Sequence, residues 1–349
     1  MKKSIFLVSI LTISLQLLAT DWTPPSYVTP PSLPDDATLR VVGANVQNYL
    51  SDFTASNASC TTQSTFDSKT SKMAKVFDYL QADILVLCEV QQDDNILSYL
   101  VDAMNTEHKS NVYAYVTDGT TYSKSSSGYG YIKCGYVYNK NKVTPTTSRP
   151  SFLTSQITYK YRMQVLCFKE NATGEKLVVS INHFKAKSSS DDYLQDRIDN
   201  ANTVISGLRS NYGDPDILLM GDLNSAMGEQ PIINLQNAGY EDQMYKYDNN
   251  AYTYNYKGSY QMIDHAMANN SMAKQIVGAY PFHICTSGSN AKYSDHDCYV
   301  VGLNLGGTTS IEDVMETPAE TKAKLIYIDG KLFIRVDDQL YDMMGRRVE

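Results

Sequence analysis

Residues 217–225 read Ile217-Leu218-Leu219-Met220-Gly221-Asp222-Leu223-Asn224-Ser225. Four consecutive apolar residues with no polar alternate suit a strand covered on both faces. The run stops on a glycine, and an acid and an amide follow two positions apart. In extended chain those two side chains point the same way and could hold one water or an ion. Buried strands that end in polar groups are how α/β sheets build sites along one edge.

The same form recurs on both sides. Upstream, Leu39-Arg40-Val41-Val42 leads to Asn45, Ile84-Leu85-Val86-Leu87 ends in Cys88-Glu89-Val90, and Lys176–Ile181 ends in Asn182-His183. Downstream, Met262-Ile263 precedes Asp264-His265, and Ser294-Asp295-His296-Asp297 precedes Tyr299–Leu303. Tyr136–Tyr138 adds a further short strand. Helical spacing over Ser68–Leu80 and Asp192–Leu208 separates the strands. The pattern predicts one α/β domain over residues 39–305, with sheet inside and helices outside.

Both ends differ from this domain. Lys2 and Lys3 precede an uncharged, mostly apolar stretch from Ile5 to Ala19. That predicts a cleaved export signal over residues 1–20, the run being too short to span a membrane comfortably. A soluble chain, secreted or held at the cell surface, is the expectation. Pro24, Pro25, Pro30, Pro31 and Pro34 make residues 21–38 read as an extended linker. Residues 306–324 are polar and read as a second linker. In the short β-rich tail, 325–349, Leu325–Ile328 and Leu332–Val336 flank Asp329-Gly330 as a hairpin. So little chain holds no core of its own.

The 349 residues carry a formal charge of −8, and loss of the two signal lysines with no acid moves it to −10. A net acidic protein gains no long-range attraction for nucleic acid, which speaks against packaging or sequence reading. An enzyme with a local metal-bearing cleft is not touched by that argument. No stable protein partner is expected. The six cysteines lack zinc spacing. Cys88, Cys134, Cys167 and Cys298 fall in strand-like runs and read as buried thiols; one or two bridges among the six stay open.

Glu89 and Asp295 with Asn45 make an oxygen-rich set suited to a hard divalent ion, Mg²⁺ first, with Mn²⁺ or Ca²⁺ as alternatives. Such an ion neutralises phosphate charge and polarises the P–O bond. His183 and His296 could stabilise or protonate oxygens at phosphorus, with Asp264 orienting one imidazole. The set fits in-line hydrolysis of a phosphate ester by water. Each residue alone has a plainer reading: Asn45 as a turn residue, Glu89 as a surface acid, His183 as a satisfied core histidine. The ordered recurrence at strand ends favours the site. His108, His265 and His283 read as structural. Tyr252, Tyr254, Tyr256 and Tyr260 read as a half-buried strand face, with a base-stacking platform as the alternative.

Taken in order, Asn45, Leu87-Cys88-Glu89-Val90, Asn182-His183, Gly221–Ser225, Ile263-Asp264-His265 and Ser294-Asp295-His296 resemble the motif set of the endonuclease/exonuclease/phosphatase superfamily. Ile181–Lys187, Arg197 and Asp264-His265-Ala266 are similar to its bacterial extracellular nuclease branch. The resemblance implies a four-layer α/β/β/α sandwich of two mixed sheets flanked by helices. It implies that Glu89, Asn45 and Asp295 hold the metal and that Asp222, helped by Asn224, activates the water. His183 and His296 would contact the scissile phosphate, Asp264 would pair with His296, and Arg162 and Asn182 would bind the substrate phosphate. Tyr341–Val348 resembles the C-terminal sorting signals of Bacteroidetes-type secretion systems, which implies contact with secretion machinery. The expected activity is metal-dependent hydrolysis of nucleic acid, DNA first. A sphingomyelinase-like lipid phosphodiesterase, a phosphomonoesterase and a catalytically silent surface binding module are the alternatives.

Overall fold

Alternation along the first strand sets the layers. In β1 (Leu39–Tyr49), Leu39 and Val41 point into one apolar cluster, and Val42, Ala44 and Val46 point into another. Helix α1 (Gln63–Tyr79), β2 (Ile84–Gln91), α2 (Ile96–Glu107), β3 (Tyr113–Tyr115) and β4 (Ile132–Asn139) follow. The far end of the chain completes this first sheet with β14 (Ile276–Phe282) and β15 (Cys298–Leu303), in the order β14-β15-β1-β2-β4-β3. The second sheet comprises β5 (Val143–Pro145), β6 (Ser151–Phe152), β7 (Met163–Glu170), β8 (Lys176–Asn182), β9 (Ile217–Asp222), β10 (Glu241–Asp242) and β13 (Asp264–Ala268). Helices α3 (Leu194–Gly207) and α4 (Gln230–Asn237) lie against it, and a separate ribbon pairs β11 (Tyr254–Tyr256) with β12 (Ser259–Gln261).

This computed structural model describes residues 22–121, 132–156, 158–188, 190 and 192–305, and the backbone of 324–328, 331–336, 339–342 and 347–348. The predicted export signal and nearly all of the second linker lie outside those residues.

Three cores separate four layers, as the sequence led us to expect. Val42, Leu85 and Leu87 meet Phe66, Met73 and Phe77 of α1 and Leu97 and Leu100 of α2. Val41, Ile84, Val86 and Tyr136 meet Leu166, Phe168, Val179, Ile181, Leu218 and Met220 between the sheets. Val165, Val178 and Leu219 meet Ala201, Val204, Ile232 and Leu235 under α3 and α4. Burying each such side chain contributes about 1.5–3 kcal/mol. Helix α1 starts earlier than its apolar spacing suggests because Thr62 caps it. Thr62 Oγ1 accepts from Thr65 N at 3.2 Å, and Thr65 Oγ1 accepts from Thr62 N at 3.1 Å. A threonine at the position usual for Glu or Gln disguises that capping box.

Residues 22–38, whose prolines suggest a linker, lie on the domain. Val28 is buried, the Trp22 ring meets Tyr79 at 5.5 Å, and Thr38 N donates to Leu303 O at 2.7 Å. All six cysteines are buried free thiols, Cys88 and Cys134 with sulfurs 3.9 Å apart. Among the described residues no helix is long and apolar enough to cross a membrane. A second unit pairs β16 (Lys324–Ile328), β17 (Lys331–Val336), β18 (Gln339–Asp342) and β19 (Arg347–Val348) into an antiparallel sheet. Ile328 stands opposite Lys331, the hairpin pairing expected around Asp329-Gly330, which itself lies outside the described residues.

Candidate active site

Strand directions bring the polar ends together. β1 runs parallel to β2, and β8 parallel to β9, so Asn45, Glu89, His183 and Asp222 all come in or beyond the carboxyl-terminal halves of their strands. β13 runs antiparallel to β9 with Asp264 opposite Asp222. β15 runs antiparallel to β1 with Tyr299 opposite Gly43, which delivers Ser294–His296 to the same end. The first sheet thus brings Asn45, Glu89, Asp295 and His296, and the second brings His183, Asp222 and Asp264.

Asn45 joins the two sets. Its Nδ2 donates to Glu89 Oε1 at 3.1 Å and to Asp222 Oδ2 at 2.9 Å, while its Oδ1 accepts from Gln47 N at 2.9 Å. Asn48 N holds Glu89 Oε2 at 2.9 Å. Asn224 N donates to Asp222 Oδ1 at 2.9 Å, and the Asn224 amide holds Phe184 O at 3.2 Å. His296 Nδ1 meets Asp264 Oδ2 at 2.7 Å, and Thr253 Oγ1 donates to the same oxygen at 2.6 Å. His296 Nε2 is then left 3.9 Å from Asp222 Oδ2. His183 Nε2 stands 3.7 Å from both Glu89 Oε1 and Asp222 Oδ2, too far for hydrogen bonds. A cavity of about 460 Å³ opens here, lined by Glu89, Asp222, Asn224, Asp295, His296, Lys187, Tyr254, Tyr256 and Gln261 among others.

The backbone is bent to make this geometry. Glu89 has φ 66° where the β2–β4 register shifts between Leu87 and Val90, and Asn224 has φ 48°. Non-glycine residues held there cost of order 1–3 kcal/mol each and gather at functional sites. Gly221 is stricter still: at φ +131° a Cβ would sit 2.0 Å from Asn182 O. Gly221→Ala should therefore lower the melting temperature by about 10 °C or more, or leave no soluble protein. Wild-type melting of that variant would show this reading of the β8–β9 approach to be mistaken.

Charge in the cluster is unevenly tuned. Burial, with the Asp264 charge behind it, pushes the Asp222 carboxyl up to about 7, against the pull of His296 and the Asn45 and Asn224 hydrogen bonds. Burial, with the Arg162 and His296 charges, drives His183 down to about 3, so its ring is neutral at ordinary pH. Burial opposes charge on His296 too, yet Asp264, through its charge and hydrogen bond, and then Asp222 and Asp295, carry it up to about 10. An imidazolium and a neutral imidazole thus flank a carboxyl poised near neutrality. Separated values of this kind mark acid and base roles.

Supporting groups lie behind, and of these Lys69 has no signal in the sequence. Lys69 is nine-tenths buried, donates to Gln47 O and Ser59 Oγ at 2.8 Å each, and burial lowers its ammonium to about 8. Fully buried Arg197 donates from Nε to Ser225 Oγ at 3.0 Å. Both ring nitrogens of His265 face acceptors, Asp242 Oδ2 at 2.5 Å and Ser225 O at 2.7 Å, which keeps its pKa raised despite burial. Arg197 and His265 therefore clamp the residue after Asn224. Arg162 is 7% exposed and its charge acts on His183 and Glu89. Asn182 stands apart: it is 0% exposed, its amide nitrogen donates to Ser180 Oγ at 2.9 Å, and its Oδ1 is buried without a hydrogen-bond partner. Strand alternation explains this, because Asn182 and Ser180 share a face of β8 that His183 does not. His108 and His283 pair with Asp78 at 2.7 Å and Asp297 at 2.9 Å.

The sequence profile of the Endonuclease/Exonuclease/phosphatase family matches residues 44–296, nearly three quarters of the chain. The chain belongs to that family. An endonuclease/exonuclease/phosphatase from Bacteroides vulgatus superposes with a TM-score of 0.56 at 16% identity, over 76% of this chain and 98% of that one. The human Nocturnin catalytic domain with bound sulfate gives 0.54 at 14% identity, over 77% and 95%. A Bacteroides thetaiotaomicron mannosyl-6-phosphatase gives 0.51 at 16% identity, over 76% and 99%. At these identities the likeness carries the fold. No curated protein sequence matches the chain.

The chemistry of the endonuclease/exonuclease/phosphatase family is phosphoester hydrolysis, generally with a divalent metal. The site fits such an ion. Ligand atoms of Glu89, His183 and Asp222 lie within 4.8 Å of one another, as do those of Asp222, Asp264 and His296. Asp264 Oδ1 is buried with no hydrogen-bond partner, and the Glu89 and Asp222 carboxylates share one amide. Uncompensated negative charge and oxygen-rich ligands are what a hard cation answers.

Proposed function

We propose that the protein is an exported phosphodiesterase that hydrolyses nucleic acid, DNA first, with Mg²⁺ as its ion. The observation that carries the reading is the charge of the cavity wall. Acidic Glu89, Asp222 and Asp295 face it with His296, and Lys187 is the one lysine or arginine among its described lining residues. A singly charged diester suits that wall; a monoester dianion or a polyphosphate asks for more cations. Lys2, Lys3 and the apolar stretch after them support export, and Tyr341–Val348 supports handling by secretion machinery.

Glu89, Asp295 and Asn45 would hold the ion. When bound, it supplies charge neutralisation and polarisation at the phosphate. Asp222 Oδ2 accepts the proton of the attacking water, a task for which a carboxyl near neutrality is matched. The Asn224 backbone fixes the other Asp222 oxygen, so one lone-pair direction faces the cavity. His296 presents Nε2–H to a phosphate oxygen as a charged donor, and Asp264 holds its charge and orientation. His183, neutral, offers a second donor without adding charge.

The test is hydrolysis by the purified chain of single-stranded DNA, plasmid, RNA, sphingomyelin and a phosphomonoester, each with Mg²⁺ and with chelator. Chelator-sensitive cleavage of nucleic acid is the expected result. Activity confined to lipid or monoester would overturn the nuclease reading and keep the site.

A further inference from the structure

The ribbon at the cavity mouth carries two exposed tyrosines, Tyr256 and Tyr260. β11 and β12 are three residues each, joined through Lys257 and Gly258 at φ 51° and 88°, the two-residue turn whose twist matches paired strands. Asn255 Oδ1 pins the turn by accepting from Gly258 N at 2.8 Å. Hairpins this small are marginal alone. This one is tied to the catalytic cluster: Tyr254 bridges to His296 through the backbone, and its ring lies 4.6 Å from that imidazole.

Register divides the tyrosines between two faces. Tyr254 stands opposite Gln261 and Tyr256 opposite Ser259, so Tyr254, Tyr256 and Gln261 share a face, and all three line the cavity. Tyr260 stands opposite Asn255 on the other face and packs on Tyr252 at 4.5 Å, which stacks on His283 at 3.9 Å. Tyr256 is 50% exposed, with Lys257 Nζ 5.1 Å from its ring centre. Tyr256 therefore offers a half-exposed ring to the cavity, two residues along the same face from Tyr254, whose ring meets His296.

We propose that Tyr256, on the same face as Gln261, which stands opposite Tyr254, is a stacking subsite for a nucleobase flanking the scissile phosphate, which makes single-stranded nucleic acid the favoured substrate. This rests on the nuclease reading above. A base reaches a protein ring only when it leaves its own stack, which a single strand allows and a duplex resists. Gln261 adds donors and an acceptor for a base edge. The acidic chain gains little from counterion release, so a neutral contact has to supply affinity. A lipid surface would want both exposed tyrosines of the ribbon in one patch, and they face opposite ways. A sugar would want several polar side chains around its rim, and this face of the ribbon offers one amide and one serine hydroxyl.

The experiment uses a short single-stranded oligonucleotide with one cleavable phosphodiester and phosphorothioate elsewhere, and a partner lacking the bases on both sides of that bond. Tyr256→Ala and base removal are each expected to lower kcat/KM about tenfold, and the two together no further than either alone. Tyr256→Phe should stay within about twofold of wild type, since the ring is kept. The duplex form should be cut more slowly by wild type. An unchanged melting temperature for Tyr256→Ala excludes a folding cause. Additive losses, or full activity of Tyr256→Ala on the intact strand, overturn the subsite and leave the nuclease standing. So does loss of binding to sphingomyelin vesicles in Tyr256→Ala, which would make the ribbon a lipid contact. If wild type cleaves no nucleic acid, the nuclease reading falls and this inference falls with it.

Discussion

Asp222→Asn is expected to lower kcat on a phosphodiester by about a thousandfold and to raise the melting temperature of the metal-free protein. The first effect follows from losing the proton acceptor, a contribution of roughly 10²–10⁴ in rate. The second follows from linkage. Asp222 titrates at 3.8 in the unfolded chain and near 7 in the fold, so the folded state holds a proton the unfolded state has shed. A carboxyl shifted upward lends stability below 3.8 and loses it as pH rises through 7. The gain on substitution should therefore be absent at pH 4 and reach several degrees at pH 8 in chelator. An amide there keeps the bond to Asn45 or loses it, but no longer buries charge beside Asp264. Activity within tenfold of wild type would remove Asp222 from the mechanism.

Asp264→Asn should cost about the same in rate, for a different reason, and should change the pH profile as well. Asp264 is what carries His296 up to about 10 against the burial that opposes its charge. A histidine shifted upward is charged at every pH below its folded value, so wild type keeps the imidazolium across the working range. Without Asp264 the ring loses its proton at lower pH, since burial opposes the charge and only Asp222 and Asp295 remain to support it. The alkaline limb of kcat against pH should then move down from about 10 toward neutrality, and the rate at pH 8 should fall by about 10²–10⁴. A variant that is slower but keeps the wild-type profile would show Asp264 to be a packing residue only.

Much of this was legible because buried central strands leave a loud trace. Ile84–Leu87 and Ile217–Met220 are apolar throughout because both faces are covered, and the polar residues that end them had nowhere to go but the sheet edge. Their order along the chain was enough to name Asn45, Glu89, His183, Asp222, Asp264 and His296, which the fold brings together. What stayed hidden depends on contacts distant in sequence. Lys69 reads as one more polar helix residue until its ammonium is found on Gln47 O. The turn of Glu89 into positive φ has no local signature, since nothing in Leu87–Val90 marks the extra residue that β2 carries against β4. Asn182 beside His183 looked like a site residue, and a period of two turned it the other way. The extent of residues 22–38 on the domain escaped for a similar reason: prolines announce extension, but Trp22 and Val28 choose where it lies.

The pairing of Leu39 with Leu303 has a consequence for how the molecule comes into being. Synthesis runs from one end, and β1 sits in the middle of its sheet, between β2 and the last strand of the domain. A nascent chain can dock β2 on one side of β1 early, but the other side stays an open hydrogen-bonding edge until some 250 further residues have appeared. During that interval Leu39–Val46 is an apolar template for strands of other molecules. The domain closes only when its final strand is delivered, so a chain cut short before Cys298 is expected to keep that edge open.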